Sequence, residues 1–173
     1  MMKLTHLTKI TITFILSVLV GLTSFLYWPN TRLPEGTEAD RLVVNKSDRV
    51  MELWVGNRLV KTYRISLGKN PVGHKQHQGD GKTPEGLYYI NAKNPNSQFH
   101  LNLGISYPNN EDRRNSSDPG GDIKIHGLKN GNGFIGKFHR LLDWTNGCIA
   151  VTNEEMEELY EAVPIGTAIE INP

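Results

Sequence analysis

Cysteine is nearly absent from this sequence: Cys148 is the single thiol in 173 residues. No intramolecular disulfide can form, so the fold is not a small scaffold stapled by bridges. The paired spacings of a structural zinc site are missing as well. His126, His139 and Cys148 are the one mixed set that could hold zinc, and their separation in sequence argues against it. A bound metal is not expected. An excess of one charge is also lacking. The formal net charge is +1, and beyond the first 28 residues 17 basic side chains face 18 acidic ones. That excludes the basic footprint of a nucleic-acid binder. A phosphate loop is missing too. "QGDGKTPEG" ends like one at Gly81-Lys82-Thr83, but the glycine required five residues earlier is Gln76, and Pro84 opposes the helix that should follow.

Uncharged runs are scarce after the N-terminus, where one stands out. From Ile10 to Trp28, "ITITFILSVLVGLTSFLYW", 19 residues carry no charge, and Lys3 and Lys9 precede them. About 20 apolar residues cross a bilayer's hydrocarbon core as a helix. Leading lysines hold the N-terminus in the cytoplasm and send the rest outward. Tyr27 and Trp28 sit where an interfacial aromatic belt belongs. A cleaved signal peptide is the competing reading; its apolar core is usually shorter, and no small-x-small cleavage site follows here. The expected organisation is an uncleaved inner-membrane anchor over 1–28, a Pro/Gly-containing linker over 29–39, and a single domain over 40–173 on the periplasmic, extracytoplasmic side.

That domain reads as mainly β. Short β-branched runs predict strands over Leu42–Asn45, Val50–Val55 and Leu59–Leu67, with a turn at Gly56-Asn57. Further strands are expected at Leu87–Asn91, Leu101–Tyr107, Gly120–Gly127 and Thr167–Ile171. One late helix is expected. Thr152 and Glu155 fit a capping box, and Met156, Leu159, Tyr160 and Val163 follow helical spacing up to Pro164. Three long Gly- and Asn-rich loops, over 69–84, 109–121 and 128–136, suit binding loops on a rigid scaffold. His74 and His77, spaced i, i+3 in the first of them, read as loop residues rather than as metal ligands.

The chemistry-bearing residues converge on two short motifs, "IHG" at Ile125–Gly127 and "TNGC" at Thr145–Cys148. His126 ends a predicted strand and Cys148 begins another, "CIAV", so both can meet at one rim of a sheet. A histidine beside a thiol helps form the reactive thiolate. Gly147 permits a sharp turn that aims backbone N–H groups at an oxyanion. A buried, inert cysteine is the bland alternative. Residue chemistry by itself leaves both open.

The spacing of 22 residues from His126 to Cys148, with "TNGCIAV" after "IHG", resembles the L,D-transpeptidase (YkuD-type) family. The likeness extends through "LWVGNRLVKTYRISLG" and "GDGKTPEGLYYI" upstream and "PIGTAIEI" downstream. It implies an L,D-transpeptidase-like β-sandwich acting on peptidoglycan stem peptides, with no cofactor. Cys148 would be the nucleophile and His126 its base. The Gly127 carbonyl would orient the imidazole, and the Gly147 and Cys148 N–H groups would form the oxyanion hole. Thr145, Asn146, Arg140 and Asp143 are the candidate substrate-binding residues. The implied product is a cross-link used in cell-wall biogenesis. The alternatives are an L,D-carboxypeptidase or a peptidoglycan–lipoprotein hydrolase with the same Cys/His site, which would make an envelope lipoprotein a partner. An inactive wall-binding module is the alternative of another class. Many members have His before the Gly-Cys pair and Arg two residues after the cysteine. Here those positions are Asn146 and Ala150, so a planar carboxylate clamp is missing. Arg140 or Lys137 would have to supply positive charge in its place, with Trp144 shaping the pocket.

Overall fold

A computed structural model describes residues 5–27 and 31–173, with side chains at 5–25 and 31–173. Lys3, Trp28 and the first linker residues, Pro29 and Asn30, lie outside these, as does the Tyr27 side chain. The chain divides into two units, one ending at Thr31 and one running from Arg32 to Pro173.

The first unit holds helix α1 (His6–Tyr27), of which His6–Phe25 is long and apolar enough to cross a membrane. Its polar side chains bond to its own backbone. The Thr11, Thr13 and Thr23 hydroxyls donate to the carbonyls of Leu7, Lys9 and Leu19 at 2.9–3.0 Å. An apolar solvent tolerates hydroxyls only on such terms.

The second unit is built on β1 (Arg41–Asn45), β2 (Val50–Val55), β3 (Arg58–Arg64), β4 (Gly86–Ser97), β5 (His100–Ile105), the short helix α2 (Asn110–Asn115), β6 (Lys124–His126), a 3-10 segment over Gly133–Leu141, β7 (Ile149–Ala150), helix α3 (Asn153–Ala162) and β8 (Ala168–Asn172). Instead of the expected sandwich, all eight strands join one mixed sheet in the order β3-β2-β1-β8-β4-β5-β6-β7. The reason is β4. Its first half, Gly86–Tyr89, pairs with β8, and its second half pairs with β5. Register shifts at Ile90/Ala92 and Asn94/Ser97 let the strand bend between them. The sequence favours ending this strand near Asn91, because Asn94, Pro95 and Asn96 look like a loop. Irregular pairing at those positions accommodates them.

Alternation fills the core. Leu42 and Val44 of β1, Met51 and Leu53 of β2, and Ile169 and Ile171 of β8 all point inward and are buried. The parallel β1–β8 pair forms the centre of this half of the sheet. Helix α3 starts as its sequence expects. Thr152 caps it, accepting from the Glu155 N–H, while Glu155 accepts from the Thr152 N–H. It packs Met156 and Leu159 into the core beside β5 and β6. The third strand ends at Arg64 rather than Leu67, since Ser66 turns to bridge Ala150. The strand expected over Gly120–Gly127 shortens to β6. Helix α2 escapes apolar periodicity altogether; a capping box between Asn109 and Asp112 starts it.

Candidate active site

The parallel pairing of β6 with β7 sets Ile125 opposite Ile149 and His126 opposite Ala150. His126 thus ends one strand, and Cys148 enters its neighbour from the turn before it. On the other side, residues 66–69 run along this turn. Ser66 and Ala150 exchange N–H···O bonds of 3.0 and 2.8 Å. Thr145 N–H donates to Leu67 O at 3.1 Å, and Lys69 N–H to Thr145 O at 2.9 Å. The cysteine loop is therefore held by backbone bonds on both flanks. Glycine is required at its centre. Gly147 has φ +131°, and a Cβ there would lie 2.6 Å from the Lys82 carbonyl oxygen.

His126 and Cys148 line one cleft of about 660 Å³. His126 is buried, and its Nδ1 donates to its neighbour Gly127's carbonyl at 2.7 Å, which leaves Nε2 as the basic nitrogen. Phe99 and Trp144 flank the ring, with centroids at 4.7 and 5.7 Å. Burial pushes the His126 pKa below its ordinary value; the Gly127 bond opposes this and the Lys124 charge adds to it. Burial pushes the Cys148 thiol up. The Lys124 amide and the Lys124 and Lys75 charges pull against it, and Asp122 adds to it. Both shifts favour the neutral thiol and imidazole over the ion pair.

Thr145 and Asn146 also line the cleft. Thr145 is buried and organises the turn: its hydroxyl donates to Cys148 O at 2.7 Å and accepts Gly147 N–H at 3.1 Å. The Gly147 N–H, expected to face an oxyanion, is thus committed to Thr145. Arg140 and Asp143 lie apart from the cleft lining. The Arg140 guanidinium pairs with Glu155, the capping residue of α3. Asp143 accepts from Arg49 at 2.9 and 3.1 Å and from Leu67 N–H at 2.9 Å, so it braces the loop.

Several residues of the cleft escaped the sequence reading: Lys69, Lys75 and Lys124, Phe99, and a carboxamide wall of Asn94, Asn96, Gln98 and Asn102. Lys124 was legible in principle, since it lies two residues before His126 on the same face of a strand. The loop over 69–84 is no open solvated loop. Asp80 collects N–H bonds from Gln76, His77 and Lys82 and an ion pair from the buried Lys75 at 2.8 Å. His74 accepts from Glu85 N–H and meets Asp112 at 3.1 Å. Lys46, buried at the end of β1, reaches the Gly73 and Thr83 carbonyls and Glu85.

The family description "L,D-transpeptidase catalytic domain", YkuD, matches residues 39–171. The chain belongs to the YkuD family. Among curated relatives, the Escherichia coli K12 protein named "Putative L,D-transpeptidase YafK" is 30% identical over 125 residues, covering 68% of this chain and 44% of that protein. The Bacillus licheniformis protein "Putative L,D-transpeptidase YkuD" is 29% identical over 150 residues, covering 84% and 72%. This chain therefore spans less than half the length of its YafK relative. In three dimensions it resembles the helical cell shape determining protein Pgp2 from Campylobacter jejuni, with TM-score 0.63 and 24% identity over 86% of this chain and 52% of that one. The mixed sheet is that of the YkuD fold.

Proposed function

We propose that this YkuD domain is a cysteine acyltransferase that acts on peptidoglycan stem peptides outside the cytoplasm, tethered to the membrane by α1. The observation that carries this reading is His126 and Cys148 at adjacent strand ends in one cleft, with His126 Nδ1 tied to the Gly127 carbonyl. The thiol gives its proton to His126 Nε2 as sulfur attacks the carbonyl preceding the terminal D-alanine of a tetrapeptide stem. The tetrahedral oxyanion faces the Cys148 N–H. The C–N bond breaks, the imidazolium protonates the departing D-alanine amine, and a thioester remains. An amine of a second stem then attacks the thioester. Its proton passes to His126 and on to the sulfur, releasing a 3→3 cross-linked product.

Both depressed basicity at His126 and raised pKa at Cys148 suit proton transfer concerted with substrate arrival, since the resting pair is neutral. The test is mass spectrometry of the full chain in detergent with a purified tetrapeptide muropeptide. A thioester on Cys148 and free D-alanine are expected, and neither with Cys148→Ala. A cross-linked dimer identifies a transpeptidase, and a tripeptide alone identifies a carboxypeptidase. A folded enzyme that forms neither adduct nor product refutes acyl transfer on this bond.

A further inference from the structure

The missing arginine at position 150 raises the question of what carries positive charge in this cleft. Ala150 is fully buried in β7 and its backbone is paired to Ser66. The cationic groups of the cleft are instead three lysines, Lys69, Lys75 and Lys124, set against a single lining carboxylate, Asp122.

These lysines differ in how they are held. Lys75 is 2% exposed, with Nζ donating to His77 O and Asp80 Oδ1 at 2.8 Å each. An ammonium has three donors, so one remains. The charge acts on the thiol, since Lys75 is among the groups that pull the Cys148 pKa down. Lys124 pairs with the exposed Asp122 at 2.6 Å and also lowers that pKa. Lys69 is exposed and joins no carboxylate among the described residues, while its N–H bonds Thr145 O in the cysteine loop. The same cleft is lined by the carboxamides of Asn94 and Asn96 from β4, Gln98 from the turn after it and Asn102 from β5, groups suited to hydrogen-bonding a peptide backbone.

We infer that Lys69, Lys75 and Lys124 make the cleft selective for a donor peptide whose side-chain carboxyl groups are free acids, and that it discriminates against the same peptide carrying carboxamides. The inference rests on the acyl-transfer reading for its substrate but concerns charge alone. A carboxamide keeps the size and one acceptor of the carboxylate and loses its charge. It also replaces the second acceptor oxygen with an NH2 donor, so lysine ammonium groups, which only donate, favour the acid on both counts. Lys69, exposed and free of carboxylate partners, is the one whose replacement disturbs least else.

Two peptides test this, a tetrapeptide stem with free side-chain carboxyl groups and its carboxamide counterpart, with the full chain in detergent. The free acid is expected to have the higher kcat/KM by about tenfold, the range of one to two partly exposed charge-assisted contacts. The difference should lie in KM. Lys69→Gln should raise KM for the free acid by about threefold to fivefold and shrink the free-acid preference by the same factor. Equal turnover of both peptides overturns the inference and leaves the proposed reaction standing. Binding to Cys148→Ala, measured by calorimetry, separates the reverse case. A free-acid preference in binding without turnover of either peptide keeps the charge selectivity and sinks the reaction. Equal binding without turnover sinks both.

Discussion

The Thr145 hydroxyl closes the cysteine turn on itself, accepting the Gly147 N–H at 3.1 Å while donating to the Cys148 carbonyl at 2.7 Å. One side chain thereby decides where two backbone groups beside the thiol point. It is buried, so water cannot replace it. Thr145→Val keeps the shape and removes both bonds, leaving the Gly147 amide without its partner. The expected cost is about 1–3 kcal/mol of stability, the penalty of an unsatisfied buried donor. D-alanine release should fall as well. Unchanged melting and unchanged turnover would show that the hydroxyl holds nothing in place.

The resting thiol should be protonated at neutral pH. Burial raises its pKa and lowers that of His126, against the pull of the neighbouring lysines. Alkylation of Cys148 by iodoacetamide, followed against pH, should keep rising beyond pH 9. A rate that levels off below pH 7 would mean a preformed thiolate–imidazolium pair and would contradict this geometry. His126→Ala should lower turnover by about 10²–10⁴-fold, as loss of a general acid–base group does.

Stability should decline on mild acidification because of His139. Burial first, then the Arg140 and His126 charges, hold its pKa at about 3 against 6.5 in an unfolded chain. The unfolded state binds the proton first, so the native state loses stability as pH falls from 6.5 towards 3 and loses no more below that from this group. His126, depressed in the same direction, adds to the slope. The native His139 is neutral, with Nδ1 facing the Trp144 Nε1–H at 3.4 Å. His139→Gln should flatten the melting temperature between pH 6.5 and 4. A slope as steep as that of the parent would place the titration elsewhere.

Asp143 should prove a brace and not a substrate contact. Its carboxylate binds the Arg49 guanidinium and the Leu67 N–H. Asp143→Asn weakens a charge-assisted pair and should lower the melting temperature while leaving KM near its parent value. A KM change with unaltered melting would return Asp143 to the substrate.

Much of the site could be read along the chain because it is local. The His-Gly and Thr-x-Gly-Cys motifs each sit where a short strand meets a glycine turn, and a turn's chemistry is written in adjacent residues. The capping box at Thr152 and Glu155 was legible for the same reason. Arg140 and Asp143 were candidates through nearness in sequence to Cys148, and the structure engages both elsewhere than in the cleft lining. Their partners, Glu155 and Arg49, lie 15 and 94 residues away.

The sequence by itself determined the alternating strands, the late helix and the apolar N-terminal segment, and it marked one histidine and one thiol as candidates for a shared site. Periodicity and turn propensity are properties of neighbouring residues, so they need no fold to be expressed. Only the tertiary structure decided that a bent β4 would merge all eight strands into one sheet. It alone brought Lys69 and Lys75 of the loop over 69–84 and Lys124 of β6 to the same cleft and committed the Gly147 N–H to Thr145. Those outcomes depend on which distant backbones pair and which charges share a low-dielectric wall, and no local pattern in the chain records either.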